Sequence, residues 1–271
     1  MRRLPRPPLR PFVETIWAIE EPAHQASVHR REHVLPTGRM HLVFRLSDDP
    51  LRVFHHAGDR TGSVINTMVV GGARAGYYVR DVSRPMRSVG AVLRPGAATV
   101  LFGIPADELA ERHTALEDLW GAGINSMRDE LASHATAGQR LDAFERMLAE
   151  RLPAVRGLHP AVARALQQLH HTPRVRDVVD ASGYSHRRFI TLFSRAVGLT
   201  PKAYSRVLRF QRVLSAAAAD EVRSLADVAA EAGYSDQAHF NREFLEFAGV
   251  TPTQYRGRLP AASHHVPVEI R

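Results

Sequence analysis

One stretch of this chain is written twice. Residues 175–185 read VRDVVDASGYS and residues 225–235 read LADVAAEAGYS. Each copy runs into a short helical pattern with arginine on it, and then into a G-[LV]-T-P-x-x-Y turn, from Gly198 to Tyr204 and from Gly249 to Tyr255. A repeat of about fifty residues is too long for a solenoid unit and too short for a domain of its own. A helix–turn–helix present in two copies accounts for that length, and such a unit has the shape to enter a DNA major groove.

The matched positions fit this reading. Val175, Val178, Val179 and Ser182 stand 50 residues before Leu225, Val228, Ala229 and Ala232. Gly183 and Gly233 supply a turn conformation that a Cβ resists, and Ser185 and Ser235 can cap the next helix. Past the serines the offset becomes 51, which aligns Phe189, Leu192 and Phe193 with Phe240, Glu243 and Phe244. The paired phenylalanines are expected to face inward. The open face then carries Arg187, Arg188, Thr191 and Ser194 in the first copy, and Gln237, His239, Asn241 and Arg242 in the second. Arginine suits guanine edges, asparagine and glutamine suit adenine, and methyl groups meet thymine. A single such helix would ordinarily be a solvated polar surface. Two in equivalent settings point to base reading.

Charge is distributed in the same sense. The chain has a net charge of +8, with 20 arginines against 18 carboxylates in residues 1–152. Residues 156–212 hold 11 basic side chains against 2 acidic ones, whereas 213–271 hold 5 against 8. A positive field centred on the first copy suits a polyanion. Thr200–Pro201 and Thr251–Pro252 read as a helix cap followed by the first helical residue, with similar caps at Thr172–Pro173 and Ser224. Such starts expose N–H groups able to hold phosphate. Lys202, the sole lysine, follows one of them, and Arg206, Arg209 and Arg212 recur along the helix joining the copies. The candidate phosphate contacts are therefore Thr200, Lys202, Arg206, Arg209, Arg212, Ser224 and Thr251. A joining helix that spaces the copies by one DNA turn (~34 Å) would let one chain read an asymmetric site.

At 271 residues there is room for two domains. With no cysteine, disulfides, thiolate zinc sites and thiol chemistry are excluded. No apolar run approaches the ~18 residues of a membrane helix, and the basic start MRRLPRPPLRPF leads into prolines rather than a secretory core. Residues 12–104 alternate short apolar runs with turn formers, among them MHLVFRL (40–46), LRVF (51–54), VINTMVVGG (64–72), YYVRDV (77–82) and VGAVL (89–93). That spacing predicts a small β-barrel or sandwich. From Pro105 the pattern turns helical, with PADELAER as a helix start and Leu141, Phe144, Leu148 and Leu152 on one face. LPAVRGLHP (152–160) marks the boundary between a domain of 1–152 and one of 153–258, and the tail 259–271 is expected to be disordered.

Residues 158–258, and AAEAGYSDQAHFNREFLEFAGVTPTQYR (229–256) above all, resemble the DNA-binding domain of the AraC/XylS family of bacterial transcriptional regulators. The resemblance implies seven helices, two helix–turn–helix units and a long joining helix. By position it places base reading on Arg187, Ile190 and Thr191, then on Ala238, His239 and Arg242. Together with the open faces, the candidate base readers are Arg187, Arg188, Ile190, Thr191, Gln237, Ala238, His239, Asn241 and Arg242. The segments RPPLRPFVETIWAIE (6–20), LPTGRMHLVFRL (35–46), LRPGAATVLFGIPADEL (93–109) and LEDLWG (116–121) look like a sensor domain found on such regulators. That likeness implies a cupin-like barrel followed by helices, hence an α+β chain that binds an effector or pairs with itself. His41 stands where it would lead one to expect an acidic residue. The partners implied are double-stranded DNA, RNA polymerase, an unidentified small-molecule effector and a second copy. The setting implied is a bacterial cytoplasm, at the nucleoid when DNA is bound; no cofactor and no enzyme activity are expected.

Two other readings stand beside this one. Cupins often hold metals, and His24, His29, His33, His41, His55 and His56 lie in the first half, though no pair has ligand spacing within a recognisable motif. A non-specific architectural DNA binder needs charge but no prepared recognition faces.

Overall fold

Alternation along the N-terminal apolar runs decides which face of each strand is dry. The structure, a computed structural model, describes residues 1–21, 31–56, 58–84, 86–152, 157–170, 174–219, 224–258 and 264–268. The first part forms β1 (Arg2–Arg3), β2 (Val13–Glu21), β3 (Arg31–Val34), β4 (Met40–Arg45), β5 (Arg52–Phe54), β6 (Ser63–Val64), β7 (Met68–Gly71), β8 (Tyr78–Asp81), β9 (Met86–Leu93) and β10 (His113–Ala115). Helices α1 (Ala97–Phe102), α2 (Glu117–Trp120), α3 (Ile124–Ser133) and α4 (Ala137–Glu150) complete it.

The strands make two antiparallel sheets, ordered β1-β2-β9-β4-β7-β10 and, with β11 (His265–Val268) at its edge, β11-β3-β8-β5-β6. Among the described residues the two ladders remain separate, so the β layer is an unclosed pair of sheets. On one face of the first sheet Ile16, Ala91, Leu42 and Val70 form a row across neighbouring strands, followed by Ala18, Val89, Phe44 and Met68; all are buried. Against this face lies α4, whose Phe144 ring meets Phe44 edge-on at 5.8 Å. A capping box between Thr136 and Gln139 starts that helix.

The second part is all helical: α5 (Pro160–Leu169), α6 (Val175–Asp180), α7 (His186–Val197), α8 (Pro201–Ala219), α9 (Leu225–Glu231), α10 (Gln237–Ala248) and α11 (Pro252–Arg258). Its core is aromatic: Phe189, Phe193, Tyr204, Phe210, Phe240, Phe244 and Phe247 are fully buried. The chain is α+β, with β sheets and helices first and a helical region second.

Two expectations change. The segment after Pro105 forms a short 3-10 turn at Ala106–Glu108 and then the edge strand β10, where a longer helix was expected. Gly72 is the cause: a Cβ there would collide with the Leu109 carbonyl, so the chain crosses close over Gly72 and pairs beside β7. The tail was expected to be disordered, yet His265–Val268 is a strand paired with β3, with Val266 buried beneath it. An open sheet edge on β3 offers the unpaired backbone groups that draw it in. Of the boundary segment, residues 153–156 lie outside the described residues, as do His24, His29, Thr172–Pro173 and the tail residues 259–263 and 269–271.

The two parts share one continuous apolar core. Gln211 of α8 donates to the Pro36 carbonyl at 2.5 Å, and Gly38 packs against Tyr204 and Val207 of the same helix. The face of the second sheet that bears His33 and Val266 is turned toward α10, where His33 Nδ1 lies 2.8 Å from the Ala248 carbonyl.

Candidate nucleic-acid interface

Each repeat folds as helix, tight turn, helix. Gly183 and Gly233 adopt positive φ of 72° and 90°, the left-handed conformation that glycine adopts at little cost. In the first copy Ser185 occupies the cap position of α7 without a side-chain hydrogen bond. In the second, the extra residue Asp236 takes the cap and accepts from the His239 N–H at 2.7 Å. That inserted residue is why the offset changes from 50 to 51.

The phenylalanines face inward as expected, and the base-reading candidates mostly face out. Arg187, Arg188 and Thr191 on α7 are exposed, as are Gln237, Ala238, Asn241 and Arg242 on α10. Ile190 and His239 are half-buried. Among the described residues, Arg187, Arg188 and Arg242 lack a carboxylate within 4 Å, so each guanidinium keeps its donors. Gln237 Nε2 donates to Asn241 Oδ1 at 3.0 Å, which aligns the two amides on one face. His239 is held between Ser235 Oγ at 3.1 Å and the Tyr234 ring. Ser194, placed on the open face by its spacing, has its hydroxyl buried instead.

The candidate phosphate contacts divide into two groups. Thr200, Ser224 and Thr251 each cap a helix, accepting from the N–H groups of Ala203, Ala226 and Gln254 at 3.2 Å. Those starts and Lys202 are exposed. The three arginines of α8 are engaged inside the protein. Arg206 Nε lies 2.8 Å from Glu243 and its Nη2 lies 2.6 Å from Glu246. Arg209 Nη2 bonds both oxygens of Glu243 at 2.9 Å. Arg212 donates to the Leu169 and His170 carbonyls, which close the end of α5.

Glu243 stands where the first copy has Leu192, and its side chain is buried. Burial pushes its carboxyl up, but hydrogen bonds from Arg206 and Arg209 outweigh burial and hold it below its ordinary value. The pairing locks the second recognition helix onto the joining helix. It also removes two arginines from the field available to DNA. Sequence spacing placed these arginines on a helix face, but it could not show which carboxylate a different helix would bring to them.

A second relationship was not legible in the repeats. Both recognition helices end on the β region. A Cβ on Gly198, just after α7, would lie 3.1 Å from Ala73 Cβ. A Cβ on Gly249, just after α10, would run into the Tyr77 and His33 rings. The segment from Ala73 to Tyr77 therefore touches the ends of both.

Among the described residues, the histidines considered as metal ligands are dispersed. His33 faces Ala248, His41 lies on the inner face of the first sheet, and His55 and His56 lie exposed beyond β5. Among the described residues, no group of three or more His, Cys, Asp or Glu side chains is placed to hold a metal. Nor, among those residues, is any helix long and apolar enough to cross a membrane.

Comparison with known proteins fits this geometry. A helix-turn-helix domain family matches residues 178–258, and a domain of unknown function (DUF6597) matches residues 1–115. An uncharacterized HTH-type transcriptional regulator of Haemophilus influenzae is 27% identical over 99 residues, 36% of this chain and 33% of the relative. The RCS-specific HTH-type transcriptional activator RclR of Escherichia coli is 28% identical over 106 residues, 38% of this chain and 37% of the relative. The matched region thus spans about a third of the length of these curated relatives. ToxT from Vibrio cholerae superposes with a TM-score of 0.46 at 10% identity, over 91% of this chain and 97% of that one. The repeated units, their caps and the matched region coincide: residues 178–258 of this chain match a helix-turn-helix domain family.

Proposed function

We propose that this protein is a sequence-specific DNA-binding transcriptional regulator whose DNA affinity is set by its β region. The observation that carries the reading is that α7 and α10 expose equivalent polar faces while their C-terminal ends rest on one segment of the sheets. Arg187, Arg188 and Thr191 would read one major groove, and Gln237, Ala238, His239, Asn241 and Arg242 the next. Lys202 and the helix starts at Thr200, Ser224 and Thr251 would hold phosphates, which fixes register without reading sequence. Arg206, Arg209 and Arg212 would act by fixing the spacing of the two units.

An effector in the β region, or pairing of two chains, would change DNA affinity only by favouring one arrangement of the two units. RNA polymerase would be the partner at a promoter in a bacterial cytoplasm. A chain of this kind performs no catalysis.

Selection of bound sequences from random duplexes tests the reading. The expected result is an asymmetric site of about two helical turns, preferred over random duplex by ~10³ or more. A preference near unity would identify an architectural binder instead.

A further inference from the structure

The exposed face of α10 ends on a large apolar side chain. The core takes Phe240, Phe244, Phe247 and Ala248 from this helix, while Leu245 is left 49% exposed. An exposed leucine is by itself ordinary on a protein surface. This one stands in a particular place. Helix positions three, four and seven apart share one face, so Leu245 falls in line with Arg242, Asn241 and Ala238, all of them exposed. It therefore extends the base-reading face by one turn.

The surroundings leave that turn open to a nucleic acid. Glu246, next to the leucine, is paired with Arg206 at 2.6 Å, so its charge is compensated. Glu243 is buried between Arg206 and Arg209. The first copy differs: Ser194 holds the matching position, and its hydroxyl is buried. Of the two recognition helices, α10 alone carries an exposed large apolar side chain. The apolar group that base edges offer in the major groove is the 5-methyl of thymine. Against any other edge a leucine strips water from a donor or acceptor without replacing the lost bond.

We infer that Leu245 is a base-reading residue that selects a thymine through its 5-methyl group. This rests on the proposed entry of α10 into a major groove and adds to it one residue and one base. Three residues advance a helix by about 4.5 Å, a little more than one base-pair step of ~3.4 Å. The thymine therefore belongs within about two base pairs of the pair that Arg242 reads. The sugar–phosphate wall and a protein partner are the other surfaces open to a leucine there, and the test separates them.

The full chain is bound to its selected duplex, and each thymine is replaced in turn by deoxyuridine. That change removes the methyl and keeps every hydrogen bond. One replacement in the half read by α10 is expected to weaken binding about fourfold, the worth of one buried methyl. Leu245→Ala should weaken binding of the thymine duplex by a similar factor and abolish the penalty at that one position, while penalties at other thymines persist. Its thermal midpoint should stay that of the parent, because the side chain is exposed. A deoxyuridine penalty that survives unchanged in Leu245→Ala would give the methyl to another side chain and overturn the proposal. Weaker binding by the variant with no thymine coupled to it would place the leucine on the sugar–phosphate wall and overturn it too. Unaltered DNA binding by the variant would do the same, leaving Leu245 to a protein partner. The absence of any preferred site, seen with the parent chain alone, would instead overturn the DNA-reading proposal and this inference together.

Discussion

His33 on β3 and Ala248 at the end of α10 share a hydrogen bond of 2.8 Å across 215 positions of sequence. A carbonyl only accepts, so Nδ1 carries the proton, and burial, which pushes the ring's pKa down, keeps it neutral. The His33 ring also stacks on Tyr77 at 4.4 Å, which places it between the Ala73–Tyr77 segment and the end of α10. Replacing His33 with leucine leaves the Ala248 carbonyl without that donor, at an expected cost of about 1–3 kcal/mol. Hydrogen exchange should then accelerate through the last turn of α10 and leave the α6–α7 unit as before. Uniform exchange in both units would show that this contact does not anchor the end of α10.

The Glu243 pairing gives a prediction that separates architecture from DNA contact. Glu243→Gln leaves Arg206 and Arg209 facing a neutral amide, and breaking a buried ion pair on one side costs on the order of 3 kcal/mol. The urea midpoint should fall accordingly. Because Arg209 is committed to Glu243, Arg209→Ala should also lower the urea midpoint and leave the salt dependence of DNA binding nearly unchanged.

Lys202 and Arg242 supply the contrast. Lys202→Ala should weaken all duplexes alike and flatten the slope of log affinity against log salt by about 0.9. Arg242→Ala should cost about 1–3 kcal/mol on the selected site and relax preference only in the half read by α10. Unchanged preference would take Arg242 off the reading face.

The strand returning from the C-terminus makes a pH-dependent prediction. His265 Nδ1 lies 2.7 Å from Glu32 Oε1, and Arg80 bonds the same carboxylate. Burial pushes the Glu32 carboxyl up, but the His265 hydrogen bond and the Arg80 charge outweigh it and bring it down to about 2. A carboxyl lowered on folding stabilises the native state above its unfolded value of ~4.3, and that contribution is lost as pH falls toward 2. Thermal midpoints measured from pH 5 to pH 2.5 should therefore drop less steeply in Glu32→Gln than in the parent chain. Removing residues 259–271 should lower the midpoint at neutral pH, since it uncovers the β3 edge and the Val266 pocket.

The amino-acid sequence alone determined what is local. Glycine at the turns, threonine and serine at helix starts, phenylalanines four apart and alternating apolar residues specify their elements through backbone sterics and a single buried face, so the repeats and most strands were legible. Tertiary structure decided whatever depends on partners distant along the chain. The sequence could not reveal that Glu243 would neutralise Arg206 and Arg209, or that the segment after Pro105 would be captured beside β7 over Gly72. The same holds for the tail pairing with β3 and for the Ala73–Tyr77 segment that touches the ends of both α7 and α10. Ion pairs and sheet edges are satisfied by whichever group the fold brings within reach, and no period in the sequence records that choice.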